Sequence, residues 1–106
     1  MRIVWTRVAI NDLVEAREYI AEDDPKAAAR VATRVLEAVR ALSESPQLGH
    51  VGAVRSTREW HVGHTPYRLI YRFSPPRLEI LRVLHDRRQW PTHASDAKRA
   101  VRKVGP

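Results

Sequence analysis

The chain has 106 residues, no cysteine and a formal net charge of +7. This length supports one hydrophobic core, so we expect a single domain over residues 1–91 and a basic tail over 92–106. The absence of cysteine excludes disulfides and thiol chemistry and favours a cytoplasmic location. No apolar run is long enough to span a membrane, and the excess of cations favours an anionic partner.

The first part of the sequence predicts one strand and one helix. Residues 2–5 are short and mostly apolar, as expected of a strand, and Thr6 follows as a helix N-cap. Helical spacing then places four apolar residues on one face: Ala9, Leu13, Ala16 and Ile20. We expect this helix to end near Glu22.

A second helix begins at Asp24-Pro25. The aspartate can cap the helix, and the proline occupies the first helical position, where its missing N–H costs nothing. The apolar stripe of this helix comprises Ala28, Val31, Ala32, Val35, Leu36, Val39 and Leu42. Because almost no loop separates the two helices, we expect them to lie antiparallel as a hairpin.

The remainder predicts three strands. Residues 43–52 form an exit loop, and residues 54–62 form a half-buried strand with Trp60 on one face and Glu59 and His61 on the other.

The next two strands, residues 67–73 and 78–84, are joined at Ser74-Pro75-Pro76. Alternation places Tyr67, Leu69, Tyr71 and Phe73 on one face of the first of these strands. The opposite, partly cationic face carries Arg68, Ile70 and Arg72. After the last strand the chain leaves the sheet through residues 85–88, the charged exit, where we expect the functional residues.

These elements predict an α+β fold in the order β-α-α-β-β-β. Helices cannot bury their apolar stripes alone, so the hairpin is expected to pack on one face of a small antiparallel sheet. We expect the other face of the sheet to stay open for binding.

The order and spacing of four segments resemble toxins of the RelE/ParE superfamily, the toxin half of bacterial type II toxin–antitoxin pairs. The segments are VWTRVAINDLVEAREYIAEDDPKAAARV, LEAVRALSESPQLG, TPYRLIYR and ILRVLHDRRQW. The resemblance implies the same small α+β fold and a cognate acidic antitoxin that folds on the toxin. It also implies that operator DNA is contacted only through the antitoxin. We expect no cofactor, no metal and no membrane.

The superfamily divides by target. ParE-like members inhibit DNA gyrase by binding it, whereas RelE-like members resemble ribosome-dependent endonucleases that cleave mRNA. The segments ILRVLHDRRQW and EDDPKAA resemble the ParE branch more closely. On that interpretation, five cationic residues supply the binding energy for gyrase or its DNA: Arg68, Arg82, His85, Arg87 and Arg88.

The nuclease alternative, with the ribosome and mRNA as partners, uses a subset of these residues. Arg68 matches an arginine that those nucleases use, Arg82 completes the cationic set, and His85 is the candidate for proton transfer. Arg55 and Arg58 stand where the nucleases have paired lysines. Arginine is a poor general base because it stays protonated, so this departure favours binding.

Structural roles compete with these functional ones. Arg68 can pair with Glu59 or Glu79 across the sheet, and a histidine at a strand end is more often structural than catalytic. We expect Asp86 to hold one of the two arginines that follow it.

Three further features have structural interpretations. Trp60 and Trp90 can stack on bases but are more often packing residues, and Trp5 is assigned to the core. His61 and His64 do not make a metal site, since no third ligand sits at matching spacing. A basic nucleic-acid-binding domain without a toxin role stays open as a third class.

Overall fold

The computed structural model describes residues 1–91 of the chain. The predicted basic tail, 92–106, lies outside the described residues. The elements, in chain order, are β1 (Arg2–Trp5), α1 (Arg7–Asp23), α2 (Pro25–Glu44), a 3₁₀ turn (Pro46–Leu48), β2 (His50–Val51), β3 (Arg58–His61), β4 (Tyr67–Ser74) and β5 (Arg77–His85). No helix in this part of the chain is long and apolar enough to cross a membrane.

The two predicted helix caps are confirmed. Thr6 Oγ1 accepts a hydrogen bond from the Ala9 N–H at 3.1 Å, and Asp24 Oδ1 accepts from the Ala27 N–H at 3.1 Å. The Asp24 N–H in turn donates to the carbonyl of Ile20, so one residue both ends α1 and begins α2. This shared cap gives the helix hairpin its short connection.

The five strands form one mixed sheet in the order β1-β5-β4-β3-β2. The α+β prediction is confirmed, but the expectation of a wholly antiparallel sheet is wrong for β1, which pairs parallel to β5 with Ile3 opposite Leu78. Parallel neighbours need a long crossover connection, and here both helices and three strands intervene. Because no tight turn joins β1 to β5, the sequence has no local signal for the parallel orientation of β1.

The strand boundaries differ from the prediction in the middle of the chain. The strand predicted over residues 54–62 is reduced to β3, and the predicted exit loop contains the short edge strand β2. Val54 lies in the loop before β3 and is buried. Apolar residues in a buried loop and in a strand give the same sequence signal, which explains the overestimate.

The helices bury their apolar faces on one side of the sheet. The buried residues of this helix-side core are Ala9, Ala16, Val35, Val39, Leu42, Val62, Tyr67, Leu69, Tyr71, Leu78, Ile80 and Val83, with Trp5, Trp60 and Phe73 packed against them. The predicted face of β4 is therefore confirmed. Leu36 was placed in the apolar stripe of α2 but is 52% exposed.

The opposite side of the sheet is not open. A second cluster, the outer cluster, covers it and consists of Val54, Ile70, Leu81, Leu84 and Trp90. Leu81 joins this cluster because a β-bulge places Ile70 opposite Arg82 and Tyr71 opposite Ile80, leaving Leu81 as the extra residue. The expectation of an uncovered sheet face is thus wrong, and Trp90 is a packing residue.

Tyr71 anchors the segment after α2 to the core. Its buried hydroxyl donates to the carbonyl of Pro46 at 2.6 Å and accepts from the Gly49 N–H at 2.9 Å. A Cβ at Gly49 would lie 2.5 Å from this hydroxyl, so the close approach requires glycine. Burial raises the pKa of Tyr71, because the charged phenolate is disfavoured there.

Candidate functional site

The charged exit begins where β5 ends beside the start of β4. Tyr67 is paired with His85 in the sheet register, and their rings meet edge to face with centroids 5.4 Å apart. His85 Nδ1 accepts a hydrogen bond from the Arg87 N–H at 3.1 Å. Because Nδ1 acts as an acceptor, the proton of the neutral ring resides on Nε2.

Arg68 holds the charged exit against the sheet. Its Nη1 donates to the carbonyl of His85 at 3.1 Å and its Nη2 to the carbonyl of Arg88 at 2.6 Å. Its Nε pairs with Glu59 Oε1 at 3.2 Å, and the two side chains are only 16% and 14% exposed. Of the two partners considered for Arg68, Glu59 and Glu79, the structure shows Glu59, and this pair gives the guanidinium a structural role.

Arg82 is held by a residue from the first helix. Asp12 of α1 accepts from Arg82 Nε at 2.8 Å and from Arg82 Nη2 at 3.1 Å, and it also accepts from the Val83 N–H at 2.9 Å. The Arg82 and Asp12 side chains are 13% and 9% exposed. This bidentate pair joins α1 to β5 and directs the guanidinium to a carboxylate of the same chain.

Asp86 does not bind a neighbouring arginine, so that expectation is wrong. Its Oδ2 lies 3.1 Å from His61 Nε2 on β3. His61 therefore has a carboxylate partner at the protein surface. Within residues 1–91, no three His, Asp or Glu side chains are grouped closely enough to hold a metal ion.

A groove of about 380 Å³, the exit groove, is bordered by α1 and the charged exit. Tyr19 of α1, Tyr67 of β4 and His85 line it together with Arg87 and Arg88. Burial, assisted by the nearby Tyr19, raises the pKa of Tyr67. The Tyr67 phenol therefore stays protonated at neutral pH and is not available as a general base.

Arg88 also lines a wider cleft of about 570 Å³. Glu59, Arg68, Asp86 and Trp90 contribute to the same cleft. The charged exit thus presents one exposed arginine to two concave surfaces at once.

The predicted binding residues therefore separate into two groups. His85, Arg87 and Arg88 meet at the exit groove. Arg68 and Arg82 are absent from the described residues that line this groove, and each pairs with a carboxylate of the chain.

Sequence reasoning missed the contribution of α1 to this region. Tyr19 lies off the apolar stripe of its helix and is 71% exposed, so a large aromatic residue on a solvent-facing position was the available signal. The link between Asp12 and Arg82 spans 70 residues of sequence, and no local pattern indicates it.

Comparison with known proteins places the chain among bacterial toxins. The family model described as the ParE toxin of the type II toxin–antitoxin system parDE matches residues 3–90. The chain is 48% identical over 90 residues to Y4kP of Sinorhizobium fredii (strain NBRC 101917 / NGR234), a protein provisionally named as a toxin, covering 85% of this chain and 93% of that relative. It is 36% identical over 84 residues to toxin RelE2 of Caulobacter vibrioides (strain ATCC 19089 / CIP 103742 / CB 15), covering 79% and 93%.

A solved structure shares the fold. It is a chain from the chromosomal ParDE TA system from P. aeruginosa, with a TM-score of 0.72, 24% sequence identity, and coverage of 80% of this chain and 95% of that chain. At this level of identity the likeness shows the architecture of two helices on a mixed sheet.

Proposed function

This chain belongs to the ParE toxin family of type II toxin–antitoxin systems, and we propose that it acts in the cytoplasm by binding DNA gyrase and is neutralised by a cognate antitoxin. Membership of a toxin family argues against the third interpretation, a basic nucleic-acid-binding domain without a toxin role.

The observation that carries the proposal is that both arginines a nuclease would need are engaged by carboxylates of the chain, outside the groove that His85 lines. Cleavage of RNA by its own 2′-hydroxyl requires an acid–base residue and cations within hydrogen-bond reach of one phosphate. Arg68 donates to Glu59 and to two carbonyls, whereas Arg82 is bidentate on Asp12. Neither arginine lines the groove that holds His85. This arrangement favours binding over bond cleavage.

The exposed arginines of the charged exit supply the proposed contact. Arg87 and Arg88 are exposed, and both flank the exit groove with the exposed aromatic Tyr19. Arginine and tyrosine are enriched among the residues that dominate binding energy at protein interfaces. Guanidinium groups also pair with carboxylates and phosphates in bidentate geometry, which suits either gyrase or its DNA.

The proposed antitoxin contact uses charge and exposed apolar side chains. The chain carries a formal net charge of +7, so an acidic antitoxin is electrostatically complementary to it. On α1, Ile10 and Val14 are 48% and 47% exposed and lie one helical turn apart. Such a pair can receive the apolar anchors of a segment that folds on binding.

Ribosome-dependent mRNA cleavage is the second candidate function. It is favoured by the 36% identity to the relative named toxin RelE2. It is also favoured by the position of His85, which lines a groove beside two exposed arginines.

Expression in cells separates the two targets. Under the gyrase proposal, production of the toxin alone stops growth with DNA damage and filamentation while protein synthesis continues, and co-production of the cognate antitoxin restores growth. A prompt stop in protein synthesis accompanied by cleaved mRNA would contradict the proposal and support the nuclease.

Substitution of His85 tests the same distinction at one residue. We expect His85→Ala to change toxicity by less than about threefold, because most interface residues contribute little binding energy. A nuclease that used His85 for proton transfer would lose about 10²- to 10⁴-fold in rate. His50→Ala, which removes an exposed histidine from β2, is the control. A loss of toxicity in His85→Ala but not in this control, with the protein still folded, would contradict the binding mechanism.

A further inference from the structure

Arg72 is a buried arginine that the proposed function does not use. It lies on β4 on the sheet face opposite the helices and is 3% exposed. Its Nε donates to Glu79 Oε1 at 3.2 Å, and Glu79 is its paired neighbour on β5. Burying a cation in this way is unfavourable unless its donors are met by acceptors.

The hydrogen-bonding capacity of Arg72 is not met. Nη2 lies 3.1 Å from Glu79 Oε1 without an aligned hydrogen bond, and both Nη1 and Nη2 are buried with no hydrogen-bond partner among the described residues. Burial lowers the pKa of Arg72, Glu79 opposes this, and the nearby cation Arg77 adds to the lowering. A guanidinium has five N–H donors, and Glu79 engages only the one on Nε.

A cavity of about 220 Å³ borders this arginine. The residues that line it include a second arginine, Arg77, and two serines, Ser56 and Ser74. Arg77, Ser56 and Ser74 are all exposed, so the cavity is reached from solvent. Two guanidinium groups against the one carboxylate of Glu79 leave the cavity with a net positive charge.

We propose that this cavity, the Arg72 cavity, is a binding site for a phosphate-type oxoanion. Arg77 and the two serine hydroxyls contact the anion first, and a rotation of the Arg72 guanidinium then turns its unpartnered Nη donors toward the anion oxygens. Arginine recognises such oxygens with two parallel N–H bonds, which neither a lysine nor a water molecule reproduces. The site is separate from the charged exit, so it is independent of the gyrase proposal.

Nuclear magnetic resonance titration with inorganic phosphate tests this site. The ¹⁵N-labelled chain is titrated against sodium chloride of matched ionic strength, and the Arg72 Nε–H signal is followed with the backbone amides of residues 56, 72–74 and 77–79. We expect saturable shifts confined to these signals, while the Nε–H of the exposed Arg17 follows the chloride reference. Linear shifts that never saturate, or shifts spread over all arginines, would overturn the proposal.

Two matched variants distinguish specific binding in the Arg72 cavity from attraction of the anion to the overall positive charge of the chain. Arg77→Gln should weaken phosphate binding about tenfold, because it removes one charge-assisted contact. Arg30→Gln, which removes the same charge from the exposed face of α2, should leave the affinity unchanged. Equal affinities in the two variants would refute the site.

The source of the anion is distinguished by a second titration. Adenosine 5′-monophosphate that saturates the same signals would support the terminal phosphate of a nucleotide as the ligand. Saturation by inorganic phosphate alone would support a free oxoanion. Equal shifts with acetate would overturn the assignment to phosphate.

Discussion

Asp12 and Glu59 are the two carboxylates that position the arginines near the charged exit. Glu59 holds Arg68, which then donates to two carbonyls of the exit, and Asp12 holds both Arg82 and the Val83 N–H. The first pair joins neighbouring strands, and sequence alternation indicated it as one of two possible pairs for Arg68. The second joins a helix to a strand at a distance of 70 residues, so no local pattern could predict it.

Substitution of Asp12 tests whether Arg82 is structural. Asp12→Ala removes the carboxylate that serves Arg82 and a backbone N–H in a largely buried setting, so we expect the free energy of unfolding to fall by about 3 kcal/mol. Urea unfolding measures this change. The control is Glu18→Ala, which removes an exposed carboxylate from the same helix and should have little effect. Similar unfolding curves for the two variants would show that the pair of Asp12 and Arg82 contributes little to the free energy of unfolding.

At the scale of elements, local signals predicted both helices and the three C-terminal strands. Two cap residues and the apolar periodicity were sufficient to predict the helix hairpin. The alternation of apolar and polar residues was sufficient to predict which face of β4 is buried. The direction of β1 and the outer cluster were not predictable in this way. Both depend on segments far apart in the chain, such as those that bring Val54 and Trp90 into one cluster.

Two leucines of α2 test how far the apolar stripe extends into the core. Both belong to the predicted stripe, but Leu42 is fully buried whereas Leu36 is 52% exposed. We expect Leu42→Ala to lower the free energy of unfolding by about 2–5 kcal/mol. Leu36→Ala should change it by less than about 1 kcal/mol, since little apolar area is lost from the core. Thermal and urea unfolding of the two variants provide the comparison, and equal losses would contradict the observed packing.

At the scale of the whole molecule, both faces of the sheet are covered, and we therefore propose the end of the sheet as the binding surface. The helix hairpin covers one face and the outer cluster covers the other, and the charged exit at the end of β5 carries two exposed arginines, Arg87 and Arg88. The sequence indicated the charged exit from its run of charged residues, and its role in binding stays a prediction. It could not predict that α1 would supply Tyr19 to the same groove.

The proposed mechanism accordingly rests on contact through the exit groove. The relevant variant is Arg87→Ala/Arg88→Ala, and the matched control is Arg30→Ala/Arg34→Ala, which removes the same charge from exposed positions of α2. Long-range attraction to DNA depends on total charge and changes equally in both. Only a specific contact at the charged exit distinguishes them.

Inhibition of DNA gyrase supercoiling by the purified chain is the most direct measurement of this mechanism. We expect the unmodified chain and the Arg30→Ala/Arg34→Ala control to inhibit at similar concentrations, and the Arg87→Ala/Arg88→Ala variant to require at least about tenfold more protein, as for loss of an interface hot spot. Absence of inhibition by the unmodified chain, together with cleavage of mRNA on ribosomes, would contradict the account.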